Sequence, residues 1–204
     1  MANTKSARRG RPRSFDRDEA LRRAMQVFWT HGYENTSMTQ LVEAMGIVSP
    51  SIYAAFGSKE DLFNQAVELY VSSEVEPAWR ALDEIADVRL AVQAMLLASI
   101  DAFVGTKPQR GCLVMAGSSL LGDPNDSVRD FLRGQRRQFR DRLTKRLADA
   151  NETGDLPANC NPTVLAECVL AFFGGLSIEA VDGVEKAMLD KTATLFCERL
   201  FRAQ

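Results

Sequence analysis

The side chains best suited to contact a charged partner lie close together between Ser49 and Lys59. Ser51 carries a hydroxyl that can donate to base edges or phosphates, and Tyr53 presents a second hydroxyl on an aromatic ring. Lys59 adds a flexible positive charge of the kind that binds a phosphate. These groups favour non-covalent recognition of a nucleic acid.

Sequence features of an enzyme are missing. The chain has no glycine-rich phosphate loop after a strand, no nucleophile elbow and no metal-ligand spacing. Its single histidine and four scattered cysteines (Cys112, Cys160, Cys168 and Cys197) form no Cys-x-x-Cys pair. We therefore predict no catalytic residue, no bound metal, no cofactor and no disulfide framework, which is typical of a protein in the reducing cytoplasm.

Three short helices are predicted to position these groups, between Thr36 and Asp61. The patterns Ser37-x-x-Gln40 and Ser58-x-x-Asp61 each predict a capping box, and Ser49-Pro50 predicts a capping serine followed by proline at the first helical position. Gly46 lies where the first helix must stop and turn. Two helices joined by a short glycine-bearing turn are the pattern of a DNA-reading helix-turn-helix, although a plain helical hairpin remains open.

The phrase Tyr53-x-x-Phe56-x-x-Lys59-x-x-Leu62 resembles the hallmark of the TetR family of bacterial transcription regulators, and Trp29-Thr30-His31-Gly32-Tyr33 precedes it as in that family. The resemblance covers residues 15 to 63 closely. It implies an all-α fold, with a three-helix head that binds DNA and a larger helical body that binds a ligand and dimerises. Many relatives carry histidine or an aromatic residue where this chain has Ala55, so base specificity is expected to depend on Ser51, the Ala54 methyl and DNA shape.

Charge patterning divides the chain in the same way. The formal net charge is −2, but residues 1 to 23 carry a net +5 and residues 61 to 204 a net −5. Such a basic end suits contact with a polyanion. We predict a flexible basic arm at 1–14, a DNA-binding domain at 15–62 and a ligand-binding and dimerisation domain at 63–204; a merely solubilising tail is the alternative for the arm. The predicted DNA contacts are Arg11, Arg13, Thr36, Ser37, Ser49, Pro50, Ser51, Tyr53, Ala54 and Lys59.

Helical periodicity continues to the end of the chain. Asp16 and Glu19 predict a capping box for a first helix that ends near His31, and Pro77 predicts the end or a kink of the helix that starts after Ser58. In the body, helices are predicted at 88–104, 111–121 and 125–150, then a loop at 151–161 and two final helices. The arginines of the 125–150 helix alternate with aspartates, which favours a solvated face over a second DNA patch.

The body is predicted to contain an apolar pocket and a subunit interface. The candidate pocket walls are Phe103, Cys112, Met115, Phe139, Phe172 and Phe173, each of which is alternatively plain core. The last two helices have wide apolar stripes, which indicate a homodimer interface unless they are buried within one subunit. Its candidate residues are Val169, Phe172, Leu176, Met188, Leu195 and Leu200.

Cys112 follows Arg110-Gly111 at the expected start of a short helix. The helix dipole and Arg110 would favour a thiolate there, which predicts a sensor of electrophiles or oxidants. The alternative is a small buried hydrophobic residue.

Together these patterns predict a cytoplasmic, homodimeric transcription regulator that acts as a repressor. It would bind a palindromic double-stranded DNA operator and be released when a small-molecule effector of unknown identity binds the body. The longest nearly apolar run, Cys168 to Leu176, is too short to cross a bilayer, so no membrane partner is expected. A helical protein–protein adaptor is the alternative, but it leaves the basic arm and the helix-turn-helix unexplained.

Overall fold

A computed structural model describes residues 15–105, 107–116, 126–156 and 160–202 of the chain. Every regular element among them is helical. The helices are α1 (Arg17–His31), α2 (Met38–Met45), α3 (Ser49–Phe56), α4 (Lys59–Tyr70), a π-helix (Val71–Val75), α5 (Glu76–Trp79), α6 (Ala81–Glu84), α7 (Val88–Val104), α8 (Leu113–Ala116), α9 (Asp126–Glu152), α10 (Pro162–Val181) and α11 (Lys186–Leu200).

The helix starts of the N-terminal head follow its sequence signals closely. Ser37 and Gln40 form a complete capping box at α2, and Ser58 and Asp61 form another at α4, both as predicted. Gly46 ends α2 in the left-handed conformation, at φ 67°, where its amide donates to the Val42 carbonyl. Because glycine adopts this conformation without a Cβ clash, the chain can turn here and α3 starts only three residues later, at Ser49.

Two predicted caps are corrected. Ser49 is the first residue of α3 and Val48 occupies the cap position, with no side-chain hydrogen bond. At α1 the Asp16 carboxylate accepts from the amides of Asp18 and Glu19, but the Glu19 carboxylate binds Arg22 and Arg23. Glu19 therefore completes no capping box, because two neighbouring cations on the next turn compete for its carboxylate.

A nearly continuous helical segment leads from the head into the body. It comprises α4, the π-helix and α5, and it passes directly through Pro77, where the sequence predicts an end or a kink. The wider π-turn lies in the residues just before the proline, since a proline deprives the preceding turn of an amide donor. Arg142 of α9 fixes the end of this segment: it binds the Glu76 and Asp83 carboxylates and donates to the Trp79 carbonyl at 3.2 Å.

The body is a helical bundle in which α10 packs against α7, α8, α9 and α11. Helix α9 confirms the predicted 125–150 helix and starts, among the described residues, at Asp126. Its arginines 129, 133 and 140 pair with carboxylates, as expected for a solvated face. The predicted 111–121 helix starts at Leu113 and not at residue 111, and its residues 117–121, with residues 157–159 of the 151–161 loop, lie outside the described residues.

Helix α10 is 20 residues long with a mean hydropathy of 1.9, so by length and composition it is the one described helix able to cross a membrane. It is longer than the apolar run Cys168 to Leu176 because it also includes Pro162 to Glu167 and Ser177 to Val181. Its inner face, including Val169, Phe173 and Leu176, is buried within the protein. One such helix is weak evidence for membrane insertion, because the core helix of a water-soluble bundle has the same length and composition.

Candidate nucleic-acid interface and body cavity

Helix α3 presents a small exposed surface at the end of the head. Tyr53 is 49% exposed, and Pro50 and Ala54 are exposed beside it, whereas Ile52 and Phe56 are buried. Ser49 and Ser51 are half-buried at the helix start. The Ser51 amide already donates to the Val48 carbonyl at 2.9 Å, so the Ser51 side chain is the better donor for a ligand. Sequence reasoning missed Val48, which is 64% exposed at the tip of α3 and can contact a thymine methyl group.

The end of α3 is held by residues distant in sequence. Gln65 of α4 donates to the Phe56 carbonyl at 3.0 Å, and Arg17 of α1 donates to the Gln65 side-chain oxygen. The Arg17 guanidinium also lies 4.6 Å from the centre of the Phe56 ring, a cation–π contact. No short-range sequence pattern predicts this arrangement, which fixes the angle of α3 on the head.

Lys59 lies in the first turn of α4, with its ammonium 4.4 Å from the centre of the Tyr33 ring. Burial lowers the pKa of Lys59, and the charge of Glu34 raises it. Burial raises the pKa of Tyr33, with a smaller contribution from Glu60, so the phenol remains neutral. Tyr33, the last residue of the Trp29–Tyr33 phrase, therefore contacts the Lys59 ammonium, which is predicted to bind a phosphate.

The prediction for Thr36 is corrected. Its side chain is 1% exposed and its hydroxyl donates to the Gly32 carbonyl at 2.6 Å, so it stabilises the turn between α1 and α2. Ser37 is exposed next to it, but its amide and its hydroxyl are both hydrogen-bonded to Gln40 in the α2 capping box. Arg11 and Arg13 lie outside the described residues.

The head meets the body at a buried junction around Gly111. The Trp29 indole of α1 donates to the Gly111 carbonyl at 2.9 Å and packs edge-on against Tyr70 of α4, with ring centres 4.8 Å apart. The next amide, that of Cys112, donates to the Ser177 hydroxyl of α10 at 2.7 Å. Residues 111 and 112 therefore connect the first helix of the head to a central helix of the body.

The structure contradicts the thiolate argument for Cys112. Its side chain is fully buried, and burial raises the pKa of the thiol despite hydrogen bonds from Tyr70 and from the amides of Val114 and Met115. Arg110 does not face the sulfur: it donates to Gln26 and stacks on the Trp29 ring. The thiol stays protonated at neutral pH, which fits the alternative of a buried packing residue.

The predicted pocket walls separate into different places. Phe139 and Phe173 pack against Trp79 in the core, and Phe103 packs against Phe173. Trp79 is not singled out in the sequence analysis. Met115 lines a neighbouring cavity of about 260 Å³ with Ala116, Gly174, Ser177 and Ile178. Phe172 faces the other side of α10 and stacks on Phe196 of α11 at 3.9 Å, so its assignment to the same pocket is wrong.

An apolar groove of about 480 Å³ runs along the outer side of α10 and α11. Of the predicted interface residues, Met188 (58% exposed) and the half-buried Phe172 line this groove, whereas Leu195 (52% exposed) and the half-buried Leu200 lie on α11 outside its lining. Leu176 is 3% exposed but lines the groove. Val169 is fully buried within the subunit, so its prediction as an interface residue is corrected. Three further exposed apolar residues of α10 were missed: Val164, Ile178 and Val181.

Two family models match the chain. The model described as bacterial regulatory proteins, tetR family, matches residues 20–66, which include α2, α3 and most of α1. The model described as tetracyclin repressor-like, C-terminal domain, matches residues 90–191 of the body.

Individual proteins match over nearly the whole chain. The HTH-type transcriptional repressor ComR of Escherichia coli (strain K12) is 33% identical over 190 residues, which cover 92% of this chain and 90% of ComR. A structure of the TetR family transcriptional regulator CifR, a cysteine mutant complexed with 26-bp double-strand operator DNA, is 37% identical with a TM-score of 0.85, over 95% of this chain and 99% of CifR. The Bacillus subtilis regulator FadR, in complex with stearoyl-CoA, is 14% identical over 91% of this chain and 98% of FadR, with a TM-score of 0.74, and shares the fold.

Proposed function

The chain belongs to the tetR family of bacterial regulatory proteins, and from this membership we propose that it is a ligand-responsive transcriptional repressor that acts in the cytoplasm. Two copies bind a palindromic operator through their α3 helices. Binding of a small molecule in the body then releases the DNA.

The observation that carries the DNA-binding proposal is the exposed side of α3, held at a fixed angle on the head. Tyr53, Ala54 and Pro50 point away from the core, whereas Arg17 and Gln65 anchor the end of the helix at Phe56. The complex of CifR with operator DNA supports the same role for this surface. Because α3 has few long polar side chains, its specificity depends on Ser51, on apolar contacts from Val48 and Ala54, and on DNA shape.

The junction at Gly111 supports release by a ligand. A molecule that displaces α10 also displaces Ser177, which accepts from the Cys112 amide, and the neighbouring Gly111 carbonyl accepts from Trp29 of the head. Movement in the body is thereby transmitted to α1, against which α2 and α4 pack. Release follows because the effector binds more tightly to the conformation that does not bind DNA than to the one that does.

Selection of operators from a random DNA pool tests the proposal, followed by binding measurements at several salt concentrations. We expect an enriched palindromic sequence and an affinity that falls steeply with salt, since phosphate contacts release counterions. Absence of DNA binding at low salt would refute the regulator and favour the helical adaptor. A reporter gene placed behind the selected operator distinguishes repression from activation.

A further inference from the structure

Val48 occupies a position that does not suit its side chain. It is the N-cap residue of α3, and it makes no side-chain hydrogen bond there. Valine is among the weakest N-cap residues, because it has no oxygen to accept from the free amides of the first turn. The side chain is also 64% exposed, so it adds little to the core. Neither capping nor packing within the protein explains a valine at this position, which indicates a contact with another molecule.

Further apolar groups are exposed on the same helix. Pro50, Tyr53 and Ala54 are three and four residues apart, so they share one face of α3, and Val48 precedes this face at the helix start. Val48 and Tyr53 are the only large apolar side chains that are exposed among the described residues of the head, 15–70. We refer to Val48, Pro50, Tyr53 and Ala54 as the α3 apolar surface. The head therefore concentrates its exposed apolar side chains on the helix that is proposed to bind DNA.

The same helix offers few groups that can identify a base by hydrogen bonds. Its sequence, Ser-Pro-Ser-Ile-Tyr-Ala-Ala-Phe, contains no arginine, lysine, asparagine or glutamine, the residues that make paired hydrogen bonds with guanine or adenine. The hydroxyls of Ser49, Ser51 and Tyr53 remain. A hydroxyl both donates and accepts, so it can bind the O4 atom of thymine and the N4 amino group of cytosine alike. The polar groups of α3 therefore discriminate poorly between these two pyrimidines.

A methyl group on a pyrimidine ring is a feature that exposed apolar side chains can detect. Thymine presents a methyl group on C5 in the major groove. The base 5-methylcytosine presents the same group at the same place, whereas uracil and unmodified cytosine carry a hydrogen there. Transfer of one methyl group from water to an apolar contact favours binding by about 4-fold. The side chains of Val48 and Ala54 end in methyl groups and can make this contact.

We propose that the α3 apolar surface recognises the C5-methyl groups of pyrimidines, with Val48 and Ala54 as the contacting side chains. The operator then carries thymine where it faces these residues. Because the polar groups of α3 accept either pyrimidine, 5-methylcytosine satisfies the same contact, and binding to a site with cytosine at that position depends on methylation of the DNA. The inference rests on the proposed function, since it assigns the chemical group that the DNA-binding head recognises.

Base replacements that change only the methyl group test the proposal on the full-length protein. Each thymine of the selected operator is replaced in turn by deoxyuridine, in both half-sites, and affinity is measured by fluorescence anisotropy. We expect at least one position at which binding weakens by about 4-fold for each methyl group, or about 16-fold for the two half-sites. At that position a pair of 5-methylcytosine with guanine should bind more tightly than unmodified cytosine with guanine by the same factor.

Three results would overturn the proposal. They are a selected operator without thymine, an unchanged affinity at every deoxyuridine, and equal binding of methylated and unmethylated cytosine. A protein that binds no DNA at low salt would refute the regulator proposal, whereas one that binds the operator and ignores the methyl group would refute this inference alone.

Variants of Val48 assign the contact. Val48→Ala should reduce the ratio of affinities for the thymine and deoxyuridine operators, because it shortens the contacting side chain. Val48→Ser supplies the missing capping oxygen, so it should raise the melting temperature and still reduce this ratio. Lys59→Ala is the matched control: loss of a phosphate contact should weaken both operators and leave their ratio unchanged. A Val48→Ala protein with the wild-type ratio would refute the assignment.

Discussion

At the scale of single residues, the Lys59 side chain and the end of α3 are held in place by residues from other parts of the head. The Tyr33 ring lies beneath the Lys59 ammonium, and the Gln65 amide binds the Phe56 carbonyl at the end of α3. Such contacts reduce the number of conformations that a long side chain loses when it binds a phosphate. The head is therefore arranged for binding before any DNA arrives.

Replacement of Lys59 by alanine should weaken binding to every DNA sequence to a similar degree, because the ammonium contacts a phosphate and no base. Since one phosphate contact is lost, the slope of log affinity against log salt concentration should fall by about one. Fluorescence anisotropy with the selected operator and with mixed DNA, at several salt concentrations, measures both effects.

Lys59→Arg is the matched control, since it keeps the charge and should keep most of the salt slope. Ser51→Ala should instead change the preference among operators, because its hydroxyl can reach base edges. A Lys59→Ala protein with altered sequence preference and an unchanged salt slope would refute the phosphate assignment.

At the scale of helices, boundaries with a local cause were predictable from the sequence. The capping residues Ser37 and Ser58 and the left-handed Gly46 each act within four residues of their own position. The start of α3 was mispredicted because Val48 takes the cap position without any side-chain bond. The contacts that orient the helices could not be predicted at all: Arg17 and Gln65 are 48 residues apart, and Trp29 and Gly111 are 82 apart.

The difference between local and long-range contacts also explains which of the predicted pocket residues lie together. Of the six predicted walls, Phe139 and Phe173 pack against Trp79 and Phe103 packs against Phe173, because large apolar residues on core-facing stripes meet in the centre of a bundle. Periodicity did not distinguish the two sides of α10, which is apolar nearly all round, so Phe172 was assigned to the wrong side.

Gly111, at the contact between head and body, has no room for a larger side chain. It adopts φ +62°, and an added Cβ would lie 2.5 Å from the Ser177 carbonyl oxygen, a backbone atom of α10. Gly111→Ala should therefore lower the free energy of unfolding by about 2–5 kcal/mol, combining left-handed strain with a steric clash. Urea unfolding followed by circular dichroism measures the change.

Gly183→Ala separates the two causes. Gly183 has a similar φ of +85°, but an added Cβ would meet no atom within 4 Å. This variant should lose only about 1–2 kcal/mol, the cost of the backbone conformation. If both variants lost the same free energy of unfolding, the steric clash at position 111 would contribute nothing, because α10 shifts to accommodate the added Cβ.

At the scale of the whole molecule, the groove on α10 and α11 leaves an apolar surface that a single subunit does not cover. Met188 lines the groove and is 58% exposed, and Leu195, on the same helix, is 52% exposed. A second copy of the chain that covers this surface would hold two α3 helices at one fixed separation. Two half-sites on one face of DNA require about 34–36 Å, or a multiple of it, between the reading helices.

Leu195→Glu should convert the dimer into monomers or aggregates and abolish operator binding, because a buried carboxylate without a partner is costly. Analytical ultracentrifugation and operator titration measure the two effects. Leu90→Glu is the matched control: Leu90 is 46% exposed on α7, outside the two last helices that are predicted to form the interface, so that variant should remain dimeric. A folded Leu195→Glu monomer with wild-type operator affinity would contradict this assembly.

The two tryptophans also make the molecule its own optical reporter. The sequence contains only Trp29 and Trp79, one at the contact between head and body and the other in the core of the body against Phe139 and Phe173. Because both indoles are buried, their emission depends on the protein around them and little on solvent. A protein with Trp79 replaced emits from the junction alone, and one with Trp29 replaced emits from the body core alone. Stopped-flow recordings of the two proteins would therefore time the arrival of an effector and the response of the DNA-binding end separately, without any attached dye.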